Sequence, residues 1–144
     1  MGFADFMALA LYDSQAGYYR RERARVGYGP GTDFFTASTS GPIFGELIVA
    51  AAVKLLNAAG GDAGGHAFVE IGAEPGGGVL QGVAHPFAAV RTVRVGEAVT
   101  LAGRCVVFSN ELFDAQPFRR LVFRAGAWRE LGVGLRGDTL AEIE

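Results

Sequence analysis

Cysteine is nearly absent from this sequence. The single one, Cys105, excludes an intrachain disulfide, and its place in the apolar run Cys105–Phe108 predicts an inert buried thiol rather than a nucleophile. Histidine is equally scarce. His66 and His85 each sit beside glycine or proline in expected loops, so no metal cluster can be assembled and no metal is expected. Neither sign of charge dominates: 13 Lys and Arg against 15 Asp and Glu give a formal charge of −2, which argues against a general nucleic-acid surface. The basic patch Arg20–Arg25 is the one local exception and reads as a solvated loop. No apolar run reaches the roughly 20 residues needed to cross a bilayer, and a basic leader with an apolar core and cleavage site is missing. A cytoplasmic protein without membrane contact is therefore expected. There is neither an internal repeat nor a low-complexity tract.

What remains is a chain of 144 residues, half of them apolar and 22 of them glycine, which is enough to bury one core. A single domain is expected, with N-terminal helices and a lid-like loop over 1–65 and a sheet-forming portion over 66–144. Phe3, Phe6, Met7 and Ala10 follow helical spacing from Phe3 to Tyr12. Gly27–Asp33 is too rich in glycine and proline for regular structure, and Phe34–Ala37 reads as extended. Thr39 or Ser40 can cap a helix carrying Phe44, Leu47, Ile48, Ala51 and Leu55 on one face, and Gly60-Gly61 stops it. Ala67–Ile71 reads as the central strand, Val79–Ala84 as about two helical turns and Val90–Val95 as a strand. Arg104–Ser109 reads as a strand buried on both faces, with Val69, Ile71, Val106, Val107 and Phe108 as core. Phe118–Arg124 and Trp128–Leu135 alternate around a turn and predict a hairpin.

Chemistry concentrates where the central strand ends. Glu70 closes an apolar run and passes into Gly72, Gly76, Gly77 and Gly78 before an apolar segment resumes, the pattern of a strand, a glycine turn and a helix start. Such clusters also occur as plain surface loops. Asn110, Glu111 and Asp114 follow the second buried strand, and if the two strands are neighbours, both polar groups face one crevice. Asn110 and Glu111 can equally cap a following helix. A nicotinamide-dependent dehydrogenase fits less well, because the Gly-x-Gly-x-x-Gly spacing and its matching acid are missing.

Several segments together resemble the MidA-like family of S-adenosylmethionine-dependent methyltransferases, relatives of the mitochondrial complex I assembly factor that methylates an arginine. Phe6–Asp13 with Gly17–Tyr19 is similar to the family's N-terminal signature, and Gly31–Ala37 with Pro42–Glu46 to its second. Glu70–Gly72 with Pro75–Gly78 resembles its cofactor loop, and Ser109–Pro117 its Asn-Glu stretch. The resemblance implies an α/β, Rossmann-like class I methyltransferase sheet, incomplete at its C-terminal side, with N-terminal helices and a C-terminal β-hairpin. It implies S-adenosyl-L-methionine as cofactor, bound by Glu70, Gly72, Gly76, Gly77 and Gly78, with Glu97 the nearest substitute for a ribose-binding acid. Asn110, Glu111 and Asp114 would be catalytic, stabilising the charge that moves to the acceptor and helping to remove its proton.

Three positions depart from that family pattern. Ala73-Glu74 looks like an insertion in the glycine loop, Thr39 stands where the family carries a glutamate, and the span from Val79 to Phe108 is short. These departures set up the alternative of a catalytically degenerate relative acting as a protein-binding or assembly module. Its shortened sheet would leave apolar surface to be covered by a protein partner or by self-association.

Overall fold

The computed structural model describes residues 1–144 apart from 22–25, 36 and 74–76, and of residues 38 and 39 the backbone alone. Contacts within the chain divide it into two compact units, residues 23–112 and residues 1–22 together with 113–144.

The first unit is built on a parallel sheet. Strands β1 (Ala67–Ile71), β2 (Ala89–Val93) and β3 (Cys105–Phe108) lie in the order β2-β1-β3, with Ala67 opposite both Ala89 and Cys105. The expected pairing of β1 with β3 is therefore present, but β3 is an edge strand and β1 the middle one. Burial follows that order. Phe68, Val69 and Glu70 are buried, whereas Val107, expected in the core, is 48% exposed because it lies on the outermost strand. Phe68 is fully enclosed, its ring 5.2 Å from that of Phe87 and 5.9 Å from that of Phe108. Burying such a side chain stabilises the unit by about 2–3 kcal/mol.

A long helix, Pro42–Ala58, covers this sheet, and we label it α2. Its cap differs from the expected Thr39 or Ser40: Gly41 precedes it with φ +71, and Pro42 fills the first helical position, where a missing N–H costs nothing. The stop is the expected one. Gly60 N–H donates to Asn57 O and Gly61 N–H to Leu56 O, the paired bonds of a Schellman motif, with Gly60 at φ +73. Its buried face is the expected one only in part: Phe44 and Ile48 turn inward as expected, Leu47, Ala51 and Leu55 do not. Ala52 joins the core with Ala63, Phe68, Leu80 and Phe87, and Ile48, Val49, Val53 and Leu56 pack on it. Leu47 and Leu55 point away, at 63% and 72% exposed. Gly45 is buried, and a Cβ there would run into the carbonyl of Val79 and the side chain of Val83, so the helix approaches the segment after β1 very closely at this residue.

No helix crosses from β1 to β2 among the described residues. Val79–Gly82 forms turns where about two helical turns were expected, closed by Gln81 N–H to Gly78 O at 2.9 Å and Val83 N–H to Leu80 O at 3.1 Å. Leu80, Val83 and Phe87 are buried, so this short span fills the space with side chains. Two β-branched residues, Gly82 and His85-Pro86 leave little helix propensity to oppose that. Phe34 forms an isolated bridge with Val26, but Ala37 belongs to a 3₁₀ turn, Ala37–Ser40, rather than to an extended segment.

In the second unit, α1 spans Phe3–Tyr12 as the apolar spacing requires, and the chain returns through β4 (Arg120–Arg124), β5 (Ala127–Arg136) and β6 (Thr139–Ile143), an antiparallel meander. The predicted hairpin is β4 with β5, joined by Ala125-Gly126, both at positive φ as a type I′ turn demands. The third strand was not expected. It follows a second two-residue turn, Gly137-Asp138. The backbone of Met1 bonds to Val133 from the amine and the carbonyl, so the N-terminus is tied to β5. No helix among the described residues is long and apolar enough to cross a membrane.

Candidate functional site

In a sheet of order β2-β1-β3 the chain leaves β1 toward one side for β2 and returns to the other side for β3. The carboxyl ends of β1 and β3 therefore flank a switch point, the place where such sheets bind ligands. The loops from those two ends meet. Gly72 has φ +87, and a Cβ on it would lie 2.9 Å from Leu112 Cδ1, so this glycine provides both the turn and the room for the loop after β3.

Glu70 sits at the floor of the turn, 7% exposed, and its Oε2 accepts a hydrogen bond from Val79 N–H at 2.6 Å. Burial pushes its carboxyl above the ordinary value, and the Val79 N–H partly offsets this by favouring the carboxylate. The acid at the end of β1 thus pins down the far end of the glycine loop. Gly78 makes that possible, because a Cβ there would meet Glu70 Oε2 at 2.5 Å and Thr92 Cγ2 at 2.6 Å. Gly77, at φ +129, has the Gln81 side chain folded over it. The loop is also tied to β2: Gly72 N–H and Ala73 N–H both donate to Val93 O, at 2.9 and 3.3 Å. Gly76, with Glu74 and Pro75, lies outside the described residues.

Of the remaining sequence-based candidates, Asn110 is half-buried and Glu111 exposed in the loop after β3. Glu111 has φ +48, a left-handed conformation that costs a residue with a side chain about 1–2 kcal/mol and is found disproportionately at functional loops. No helix begins there among the described residues; only a 3₁₀ turn, Phe113–Ala115, follows. Glu97 accepts from Arg94 N–H at 2.9 Å, so its carboxylate closes the turn after β2. Asp114 belongs to the other unit, beside Tyr12, whose hydroxyl donates to Ala115 O at 2.7 Å. Burial, and after it the Asp114 charge, push the Tyr12 phenol up. Of the basic patch, Arg20 and Arg21 are exposed, Arg21 donating to Ala16 O, while residues 22–25 and the side chain of Thr39 lie outside the described residues. Cys105, expected to be buried, is half-buried and donates weakly to Ala102 O, as an edge strand allows. Among the described residues no group of His, Cys, Asp and Glu could hold a metal ion.

Leu112, Thr92 and Gly45 shape the turn, and the sequence reading passed over all three. Gly45 carried a signal: a lone glycine inside a helix costs about 1 kcal/mol against alanine, and close packing is the usual reason for it.

Comparison with known proteins agrees with this geometry. Residues 86–143 match a family described as "Putative S-adenosyl-L-methionine-dependent methyltransferase". The crystal structure of a "likely methyl transferase" from Burkholderia thailandensis, bound to S-adenosyl-homocysteine, superposes with a TM-score of 0.70 at 22% identity. That match covers 99% of this chain but 45% of the Burkholderia chain, so the sequence spans less than half the length of that protein. Curated proteins gave no match. In residues 86–143, which hold the last of the four motifs, Ser109–Pro117, this chain is similar to that methyltransferase family, and along nearly its whole length it has a methyltransferase fold.

Proposed function

We propose that this chain carries the cofactor-binding region of an S-adenosylmethionine-dependent methyltransferase, with a protein arginine side chain as acceptor, working in the cytoplasm. The supporting observation is the meeting of Gly72 and Leu112 at the switch point, above a glycine turn held by Glu70. The glycine turn suits this cofactor in its backbone: Gly72 and Gly77 hold positive φ, which a residue with a side chain rarely adopts, and Gly78 lets the turn close tightly on Glu70. When bound, the cofactor supplies an electrophilic methyl group on a sulfonium. The chain's own residues bind and orient. Glu70 fixes the turn against which the methionine end would rest, and Gly76 would extend the bare backbone. Asn110 and Glu111 would face the acceptor, stabilise its growing charge and take its proton. Glu97 would serve the ribose end only by giving up its bond to Arg94.

A second reading keeps the fold without the chemistry, as a protein-binding or assembly module. Its support is that the Glu70 carboxylate is already engaged by the backbone and that turns replace the crossover helix. Calorimetric titration with S-adenosylmethionine and S-adenosylhomocysteine separates the two. Saturable heat from both ligands is expected, and a folded chain giving no heat at millimolar ligand would remove the enzyme reading.

A further inference from the structure

The end of β2 carries a charge opposite to the one a nucleoside site normally uses there. Where a parallel sheet binds a nucleoside beside a glycine turn, an acid roughly 20 residues after the turn, at the end of the second strand, accepts hydrogen bonds from the ribose hydroxyls, whereas an arginine there accommodates a phosphate on the ribose. Gly72 and Arg94 stand at that spacing, and Arg94 is the first residue after β2. No acid lies between Ala89 and Gly96.

The backbone fastens this strand end to the turn. Val93 O accepts from Gly72 N–H and Ala73 N–H at 2.9 and 3.3 Å, and Thr92 Cγ2 lies 2.6 Å from where a Cβ of Gly78 would stand, so the two residues before Arg94 touch both sides of the turn. Arg94 N–H donates to Glu97 Oε2 at 2.9 Å, which fixes the bend and commits the next acid along the chain to closing it. The Arg94 side chain is exposed, and its guanidinium makes no hydrogen bond or ion pair with any described residue. Arg91 on the same strand is already engaged, donating to Thr100 O at 2.6 Å. A guanidinium has donors only, so it cannot accept from two ribose hydroxyls as a carboxylate does, but it meets a phosphate with two parallel charge-assisted bonds. We infer that Arg94 makes the sugar end of this crevice selective for a nucleoside whose ribose carries a 2′-phosphate. The inference rests on the reading of the crevice as a nucleoside site and sets that site's preference at the ribose.

Calorimetric titration of the full chain with adenosine, adenosine 2′-phosphate and S-adenosylhomocysteine tests it. Adenosine 2′-phosphate should bind about tenfold tighter than adenosine, and inorganic phosphate at the same concentration should not displace it. Arg94→Glu should reverse that order and tighten S-adenosylhomocysteine about tenfold. Arg104→Glu is the control: it makes the same change of charge at an exposed position just before β3, at the amino end of the sheet, and should leave the order alone. Equal binding of the two adenosines, displacement by inorganic phosphate alone, or a preference for the phosphate that survives Arg94→Glu would each overturn the inference, while heat from S-adenosylhomocysteine would still uphold the cofactor reading. A chain that takes adenosine 2′-phosphate in the expected order and gives no heat with S-adenosylhomocysteine would uphold the inference and remove that reading, and no heat from any of the three would remove both.

Discussion

Replacing Gly78 by alanine tests how the glycine turn is held together. This glycine is not among the positive-φ residues, so alanine meets no backbone objection there, and the entire effect must come from contacts. The new methyl would stand 2.5 Å from Glu70 Oε2 and 2.6 Å from Thr92 Cγ2, well inside van der Waals range on two sides. Overpacking of this kind costs about 1–3 kcal/mol, and displacing the Glu70 carboxylate also loses the 2.6 Å bond from Val79 N–H, worth about 1.5–3 kcal/mol with a charged acceptor. A loss of about 3–6 kcal/mol follows, or a fall of roughly 10–20 °C in melting temperature for a chain of this size. Gly82→Ala is the matched control, since a Cβ there has nothing within 4 Å and only its φ of +73 objects. Scanning calorimetry on both variants, with ligand titration beside it, should find Gly78→Ala the less stable and also unable to bind cofactor. Combining it with Glu70→Ala should recover part of the loss, because one of the two clashing partners is gone. If Gly78→Ala melts no lower than Gly82→Ala, the turn is not packed against Glu70 as described.

Glu70→Gln should become relatively more stabilising as pH rises. Burial raises the folded carboxyl above its unfolded value of 4.5, so the acid's titration contributes stability that is complete below that value and lost as pH climbs through the folded one; glutamine keeps an acceptor for Val79 without that loss. Urea unfolding at pH 4 and pH 7 measures it, and a wild-type-to-variant difference independent of pH would contradict the burial argument. Ala125→Asn should stabilise the β4–β5 hairpin by about 0.5–1 kcal/mol, because asparagine tolerates the left-handed conformation better than the alanine now at φ +50. Thermal unfolding showing a loss would mean that the turn is held by something other than its backbone preference.

Where local signals were strong the sequence was legible. Phe3–Tyr12 has helical spacing and forms that helix, Ala67–Ile71 is a strand, and the pairing of β1 with β3 follows from two apolar runs each ending in polar residues. The errors share a cause. α2 is apolar on nearly every side, so periodicity could not say which face turns inward, and close approach to the sheet chose the side carrying Gly45 and Ala52 over the side carrying the larger Leu47 and Leu55. For Val107 the run of apolar residues said only that a strand is apolar, while its neighbours decide whether it is central or marginal. β6 was missed although Gly137-Asp138 is a usable turn, because Thr139–Ile143 is short and carries Ala141 and Glu142, poor strand formers. At the glycine turn, the sequence singled out Glu70, Gly72, Gly77 and Gly78, but not the hydrogen bond that Glu70 makes. Its bond reaches nine residues forward to Val79, across a loop whose shape no local pattern fixes.

The placing of β1 in the middle of its sheet bears on how the chain assembles. Ala67 is matched with Ala89 and with Cys105, roughly 20 and roughly 40 residues further along, whereas β4, β5 and β6 are joined by two-residue turns. Contacts that close long loops form slowly, and those that close short ones form quickly. During synthesis β1 emerges with no strand to pair with and acquires its second neighbour only once the chain has been made to Phe108. Until then its apolar side chains depend on α2, already complete upstream, for shelter, and the glycine turn at its end waits for β3 before the loop carrying Leu112 can close on it.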